Sequence, residues 1–321
     1  MSRGLLIGID GGGTHSSAAA VWPDGRIAAT VSGGGMNFHN DGVETVRRRL
    51  EEVVGALCAR AGAPAERICA GLAALDGPAD GETLARFASD AWPADALDLQ
   101  SDAEIALMGC TLGGPGMMVL CGTGSMLLLR DREGRRQDSG GWGYLLEDAG
   151  SGFTLAREAL LAVAAEADSM GPVSGLAPAA LAYFGAETPR GLIGRVYAPD
   201  CGPDRIAGFA RFVLEAAEGG NRTASEILQR NMARLASQAA RLLRTAPGVT
   251  RTGIYGGIFA HSAAARRAFT EALQAEMPEA GVGAPALPPQ LGAVVHLLSR
   301  EGAPDASVLQ NIQASWKEMC S

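Results

Sequence analysis

Residues 7–16 read IGIDGGGTHS, and no other stretch limits the fold as tightly. An apolar strand pattern runs straight into an aspartate and three glycines, and hydroxyl side chains come next. Two familiar phosphate loops are excluded by spelling. Gly8 and Gly13 have the G-x-x-x-x-G spacing of a Walker A loop, but Thr14 stands where the phosphate-reaching lysine belongs. Lys317 is the only lysine in the chain. A dinucleotide fingerprint would need glycine at Ser16 and a helix straight afterwards. The chain continues instead as SSAAAVWPDGRIAATV, two strand-like runs around the turn sequence Pro23-Asp24-Gly25. The glycines therefore sit in a tight turn between strands, a β-hairpin able to hold phosphate.

The rest of the chain continues an α/β pattern. A helix is expected over 41–62, ending at the C-cap Gly62, then a buried strand over 67–75 and a helix over 81–90. A strand over 96–100 and a helix over 101–112 come after it, which implies parallel sheet with crossover helices. Gly113–Gly116 breaks the pattern, and a domain boundary is placed there: 1–115 and 116–321, with the last helices (about 289–320) free to pack back on the first domain. The second part starts over. MVLCGTGSM (118–126) repeats the apolar strand, glycine turn with threonine, and serine of the opening motif, about one domain length later. Two such hairpins, each opening an α/β half, read as an internal duplication. Helices are expected over 151–168, 206–218 and 221–245, and GIYGGIFAHS (253–262) returns to the strand-to-glycine theme.

The chain has 321 residues and a net charge of −8, enough for one large or two medium domains. The acidic balance argues against a nucleic-acid partner. The one strong basic run, Arg47-Arg48-Arg49, sits beside Glu44, Glu51 and Glu52 in a helical pattern and reads as a solvated face. No stretch approaches 18 uncharged apolar residues and the N-terminal apolar run is too short for a signal peptide, so neither membrane nor export is expected. Six scattered cysteines without a C-x-x-C pair suggest reduced thiols in the cytoplasm. A homodimer is neither required nor excluded.

Asp10 sets a physical puzzle. A carboxylate beside a phosphate costs about 4 kcal/mol for unit charges 4 Å apart at an effective dielectric of 20. A bridging Mg²⁺, directly or through water, reverses the sign. Capping its own turn is the alternative for Asp10. Gly11, Gly12, Gly13 and Thr14 would offer N–H groups and a hydroxyl to phosphate, as would Gly122, Thr123, Gly124 and Ser125 from the other half. Asp102 lies inside the S-x-x-E capping spelling of Ser101 to Glu104, but it also lies at the carboxyl end of an expected strand, where such sheets bind ligands. There it could accept the proton of an attacking hydroxyl. In GGWGYLLEDAGSG (140–152), Trp142 between Gly141 and Gly143 is either a buried anchor or a ligand contact. Asp148 is either a helix-start residue or a hydroxyl-binding carboxylate. Asn37 reads first as a turn residue. Gly256 and Gly257 allow either a nucleotide or a helix to approach the backbone.

Taken in order from about residue 5 to 300, IGIDGGGT, SDA (101–103), CGTGS, GGWGYLLEDAGSG and YGGIF resemble the sugar kinase and actin-like ATPase superfamily. Within it they resemble the N-acetylglucosamine kinase group of the BadF/BadG/BcrA/BcrD-type ATPases. The resemblance implies two actin-like (ribonuclease H-like) α/β domains around a cleft for ATP, Mg²⁺ and an amino sugar, with γ-phosphate transferred to the 6-hydroxyl. It implies Asp102 as catalytic base. Sugar contacts are implied at Asn37, Ser125, Gly141, Trp142, Gly143 and Asp148, and nucleotide contacts at Thr14, Thr123, Ala217 and Gly257. Met126 departs from the asparagine that N-acetylglucosamine kinases carry there. A different class on the same core, activators that couple ATP hydrolysis to electron transfer in a dehydratase or reductase, would need cysteine ligands for an iron–sulfur cluster. No such pattern is legible around Cys121.

Overall fold

A computed structural model describes residues 4–75, 77–88, 92–300 and 302–320. The chain divides into two compact units, residues 1–115 with 285–321, and residues 116–284. The chain thus enters the second unit once, leaves it at Ala284, and gives its last two helices to the first unit.

The first unit is built on a five-stranded sheet. Its strands are β1 (Leu5–Gly11), β2 (His15–Val21), β3 (Ile27–Gly34), β4 (Ala65–Leu72) and β5 (Leu97–Ser101), in the order β3-β2-β1-β4-β5. The β1–β2–β3 meander is antiparallel, whereas β4 and β5 run parallel to β1. The second unit repeats the plan with β6 (Gly116–Cys121), β7 (Ser125–Arg130), β8 (Arg136–Gly140), β9 (Arg251–Tyr255) and β10 (Gly281–Gly283), in the order β10-β9-β6-β7-β8. Again the first three strands are antiparallel and the last two are parallel additions. In each unit a three-residue glycine turn joins the first two strands, Gly12–Thr14 in one and Gly122–Gly124 in the other. The duplication expected from the motifs is thus a repeat of topology. The 253–262 motif is not a third hairpin: β9 takes the place that β4 takes in the first unit.

Most expected helices form close to their expected bounds. Val43–Ala61 ends on Gly62, whose left-handed backbone donates to the Cys58 carbonyl. Gly81–Phe87 is shorter than the expected 81–90, and residues 89 and 90 lie outside the described residues. The 206–218 helix is interrupted, as Pro203–Gly208 and Ala210–Glu218. Ala177–Phe184, Ala263–Glu276 and strand β10 were not expected. Among the described residues no helix is long and apolar enough to cross a membrane.

The returning helix Pro289–Ser299 packs against β1 and the Asp102–Thr111 helix, and only glycine permits that approach. A Cβ at Gly292 would lie 1.9 Å from the Ile105 carbonyl oxygen, and one at Gly8 would lie 1.9 Å from that of Gln290. Backbone cannot yield as a flexible side chain does, so Gly292→Ala is expected to destabilise by about 3 kcal/mol. Gly55→Ala should do the reverse, because Gly55 lies inside the Val43–Ala61 helix with nothing within 4 Å of the new methyl. A gain of about 0.8 kcal/mol is expected there. Urea midpoints of the two variants check both signs.

Candidate active site

The chemistry-bearing residues of the first unit meet at the carboxyl ends of β1, β4 and β5. Asp10 is the penultimate residue of β1, and its partner in β4 is Gly71, which is itself paired with Gln100 of β5. Asp102 comes directly after β5 as the first residue of the Asp102–Thr111 helix. Gly71 lets that helix start close over the sheet, since a Cβ there would lie 2.4 Å from Ile105 Cδ1 and 3.2 Å from Asp102 Cα. The two carboxylates are thus separated by a strand position that carries no side chain. The capping spelling is also real: Ser101 Oγ accepts from the Glu104 amide at 3.1 Å. Because Ser101 does the capping, the Asp102 carboxylate is left for other work, with the Ala103 amide donating to it at 2.7 Å and its own backbone amide beside it.

Burial raises the pKa of both aspartates. For Asp10 the negative charge of Asp102 adds to the burial and His15 offsets part of it, so its carboxyl is pushed up to about 6. Burial outweighs the Ala103 and Asp102 amide donors at Asp102, which is raised as well. Two carboxylates held together in this way repel each other, and a cation or a proton relieves them. The donor set therefore fits Mg²⁺, which Asp10 would hold directly or through water.

The phosphate-loop candidates are held from behind. Gly12 carbonyl accepts from the Met36 amide at 2.8 Å, and Met36 is fully buried. Gly13 and Thr14 remain exposed. Asn37, next in the chain, caps the short Phe38–Asp41 helix by accepting from the His39 and Asn40 amides at 3.0 and 3.3 Å. Its turn role is confirmed, and its side-chain amide N–H groups remain the part suited to a ligand.

In the second unit the Gly122–Gly124 turn is tied to the start of the Gly152–Ala167 helix. Gly152 donates to the Gly122 carbonyl at 2.7 Å and Phe153 to that of Thr123 at 3.1 Å. Gly122, Thr123, Gly152 and Gly257 then line one cavity of about 530 Å³, together with Asp204, Arg211, Leu214, Glu215 and His261. Sequence reasoning missed those last five. The only signal available was their position on helices flanking the glycine turns. Ala217 does not line this cavity. It lies on a separate groove with Ser225 and Arg267.

Gly256 and Gly257 now separate. Gly256 has φ +103° and its Cβ would lie 2.4 Å from the Cys121 carbonyl oxygen, so helix–strand packing demands glycine there. Gly257 is open and faces the cavity.

Asp148 is not a helix cap, because Ser151 fills that position by accepting from the Thr154 amide at 3.1 Å. Asp148 is buried and has φ +111°, a conformation costing about 1–3 kcal/mol in a residue with a side chain. Its Oδ1 accepts from the Ser125 amide at 3.2 Å, and burial followed by the neighbouring Glu147 charge raises its pKa against that hydrogen bond. The Ser125 hydroxyl beside it is buried without a hydrogen-bond partner among the described residues. Trp142 is 72% exposed, which excludes the buried-anchor alternative. Leu145 and Leu146, 81% and 79% exposed, extend the same apolar segment.

The sequence pattern of the BadF/BadG/BcrA/BcrD ATPase family matches residues 7–295. The chain belongs to this family. Among similar family proteins, the N-acetylmuramic acid/N-acetylglucosamine kinase of Clostridium acetobutylicum is 30% identical over 227 residues, 70% of this chain and 74% of its own. The N-acetyl-D-glucosamine kinase of Dictyostelium discoideum is 29% identical over 247 residues, 71% of this chain and 76% of its own. The crystal structure of a candidate N-acetylglucosamine kinase from Chromobacterium violaceum superposes with a TM-score of 0.72 at 25% identity, covering 92% of this chain and all of that one. A ROK family glucokinase from Streptomyces griseus shares the fold, with a TM-score of 0.59 at 19% identity. An electron-transfer activator would need cysteine ligands for an iron–sulfur cluster, and Cys121 is a poor one here. It is fully buried, donates to the Gly150 carbonyl at 3.0 Å, and burial pushes its thiol pKa far up.

Proposed function

We propose that this chain is an ATP-dependent amino-sugar kinase that transfers the γ-phosphoryl group to the 6-hydroxyl of N-acetylglucosamine or glucosamine. The observation that carries this reading is the placement of Asp10 and Asp102 at the carboxyl ends of β1 and β5, on either side of Gly71 in β4, both with raised pKa. Relatives named as N-acetylglucosamine kinases support the substrate class.

Asp102 accepts the proton of the sugar hydroxyl as its oxygen attacks the γ-phosphorus in line. The bond to the β–γ bridging oxygen breaks and ADP leaves. Asp10 would hold Mg²⁺ through water. The ion, when bound, offsets the negative charge of the phosphates. Gly11–Thr14 offer backbone N–H groups to phosphate, as do Thr123 and Gly124, the Gly122 amide being used on the Gly124 carbonyl at 2.8 Å. The cavity lined by Thr123, Gly257, Arg211 and Glu215 takes the nucleoside. Asp148, the unpartnered Ser125 hydroxyl and the Asn37 amide supply hydrogen bonds for sugar hydroxyls, and the exposed Trp142 an apolar face. The residues Gly141 and Gly143 keep that indole on a backbone of positive φ. The six free cysteines agree with a cytoplasmic setting.

The test is ADP release from Mg–ATP with N-acetylglucosamine, glucosamine, N-acetylmuramic acid, glucose, N-acetylmannosamine or no sugar. Strong stimulation by an amino sugar is expected. Equal turnover without sugar, or none with any, would overturn the reading. Trp142→Ala sharpens it: an exposed indole adds nothing to folding, so Tm should hold while the KM for sugar rises about 10–100-fold.

A further inference from the structure

Cys69 of β4 and Asp98 of β5 are direct partners in the parallel register, so their side chains leave the same face of the sheet. The Pro289–Ser299 helix covers that face of the first unit and brings His296 Nε2 to 3.2 Å from Asp98 Oδ2. The sulfur, carboxylate and imidazole donor atoms all lie within 4.8 Å of one another. We propose that Cys69, Asp98 and His296 form a binding site for a divalent transition-metal ion, with zinc the fitting occupant.

The donor set selects the ion. A thiolate and an imidazole are poor ligands for Mg²⁺ or Ca²⁺ and good ones for Zn²⁺. Zinc–nitrogen and zinc–oxygen bonds of about 2.0 Å at a tetrahedral angle put the two donors about 3.3 Å apart. The His296–Asp98 spacing already matches that edge. Cys69 is fully buried, whereas Asp98 and His296 keep 12% and 18% of their side-chain surface, which leaves an entry side and room for water as fourth ligand. Gln100 Nε2 donates to Asp98 Oδ1 at 2.6 Å and so turns Oδ2 toward the imidazole. Arg300 reaches the same Oδ2 at 3.4 Å from a half-exposed position and must give way to the ion. As the sulfur–metal bond forms, the thiol releases its proton to water. The three donors come from two strands and from the helix that returns after residue 285, so the ion would clamp that returning segment to the sheet. This role is independent of sugar phosphorylation.

The test uses the full chain carrying Cys320→Ser, since Cys320 is an exposed thiol. Stripped with a chelator and titrated with Co²⁺, it should bind one equivalent with a thiolate-to-cobalt absorption band. Cys69→Ser should remove the band, and His296→Gln should weaken binding more than about 10-fold. Zn²⁺ should raise the Tm of the parent by about 5 °C, that of His296→Gln by less, and that of Cys69→Ser not at all. Circular dichroism establishes that each variant is folded, and either variant alone decides the outcome. No band in the folded parent, a band that survives Cys69→Ser, or no zinc-dependent Tm shift would overturn the site and leave only an Asp98–His296–Arg300 ion-pair network.

Discussion

Asp102→Asn is expected to cut sugar-dependent ADP release by about 10²–10⁴-fold, the usual contribution of a positioned proton acceptor. The loss should fall on kcat. Asparagine keeps the volume and can still accept from the Ala103 amide, and Ser101, not residue 102, caps the helix. Tm should therefore stay within about 2 °C and the KM for sugar within about 3-fold. The pH profile gives a second readout. Burial raises the folded pKa of Asp102, so the base is ionised only above that raised value and the rate falls as pH drops through it. In the asparagine variant this acid limb should vanish. A variant that keeps sugar-dependent turnover at more than a tenth of the parent rate would remove Asp102 from the role of base.

Asp10→Asn is expected to separate stability from function. The folded Asp10 carboxyl titrates at about 6 against 3.8 for an unperturbed aspartate. A carboxyl raised in the folded state stabilises nothing when ionised. It costs stability above pH 6, and the cost fades as pH falls from 6 to 3.8, below which both states are protonated. The full difference corresponds to an upper bound of about 3 kcal/mol. At pH 8 without metal, Asp10→Asn should therefore be more stable than the parent by up to about that amount, and at pH 4 the gap should close. The same change should lower kinase activity at least about 100-fold, because the carboxylate suited to Mg²⁺ is gone. In the parent, the Mg²⁺ concentration needed for half-maximal rate should rise as pH falls below 6, since protons and metal compete for Asp10. Chemical denaturation at pH 4 and 8, with Mg²⁺ titrations at pH 5.5 and 7.5, checks each part. A less stable Asp10→Asn at pH 8 would show that burial and the Asp102 charge do not raise the Asp10 carboxyl in the folded chain.

Much of the site was legible because short-range rules fix it. The strand–glycine–strand spelling at 7–16 and 118–126 specifies a hairpin wherever it occurs, and the repeat of that spelling announced the repeat of topology. Ser101 to Glu104 spelled a helix start and formed one. The illegible part depended on which helices cover the second sheet. Asp204, Arg211, Glu215 and His261 belong to three separate helix segments that meet at one cavity. No spacing in the chain encodes that meeting. Ala217 lies apart from that cavity for a related reason. A small residue in a helix gives no sign of which face it occupies, and the helix turns it to the groove it shares with Ser225. Asp148 and Trp142 were each left with two readings. The Ser151 cap removes the helix-start reading of Asp148 and 72% exposure the buried-anchor reading of Trp142, and neither fact exists before the chain packs.

Local spelling alone was enough for the two α/β units, their glycine hairpins and the chemical identity of the carboxylates, because hairpins, caps and strand periods are set by neighbours within a few residues. It took the folded chain to place Asp10 and Asp102, about 90 positions apart, at one end of the sheet across Gly71, where the charge of Asp102 adds to the cost of ionising Asp10. Folding also returned the Pro289–Ser299 helix to the first sheet and set His296 against Asp98 and Cys69. Both outcomes rest on long-range packing, where the fit of glycine-sized gaps selects among partners that local spelling leaves equal.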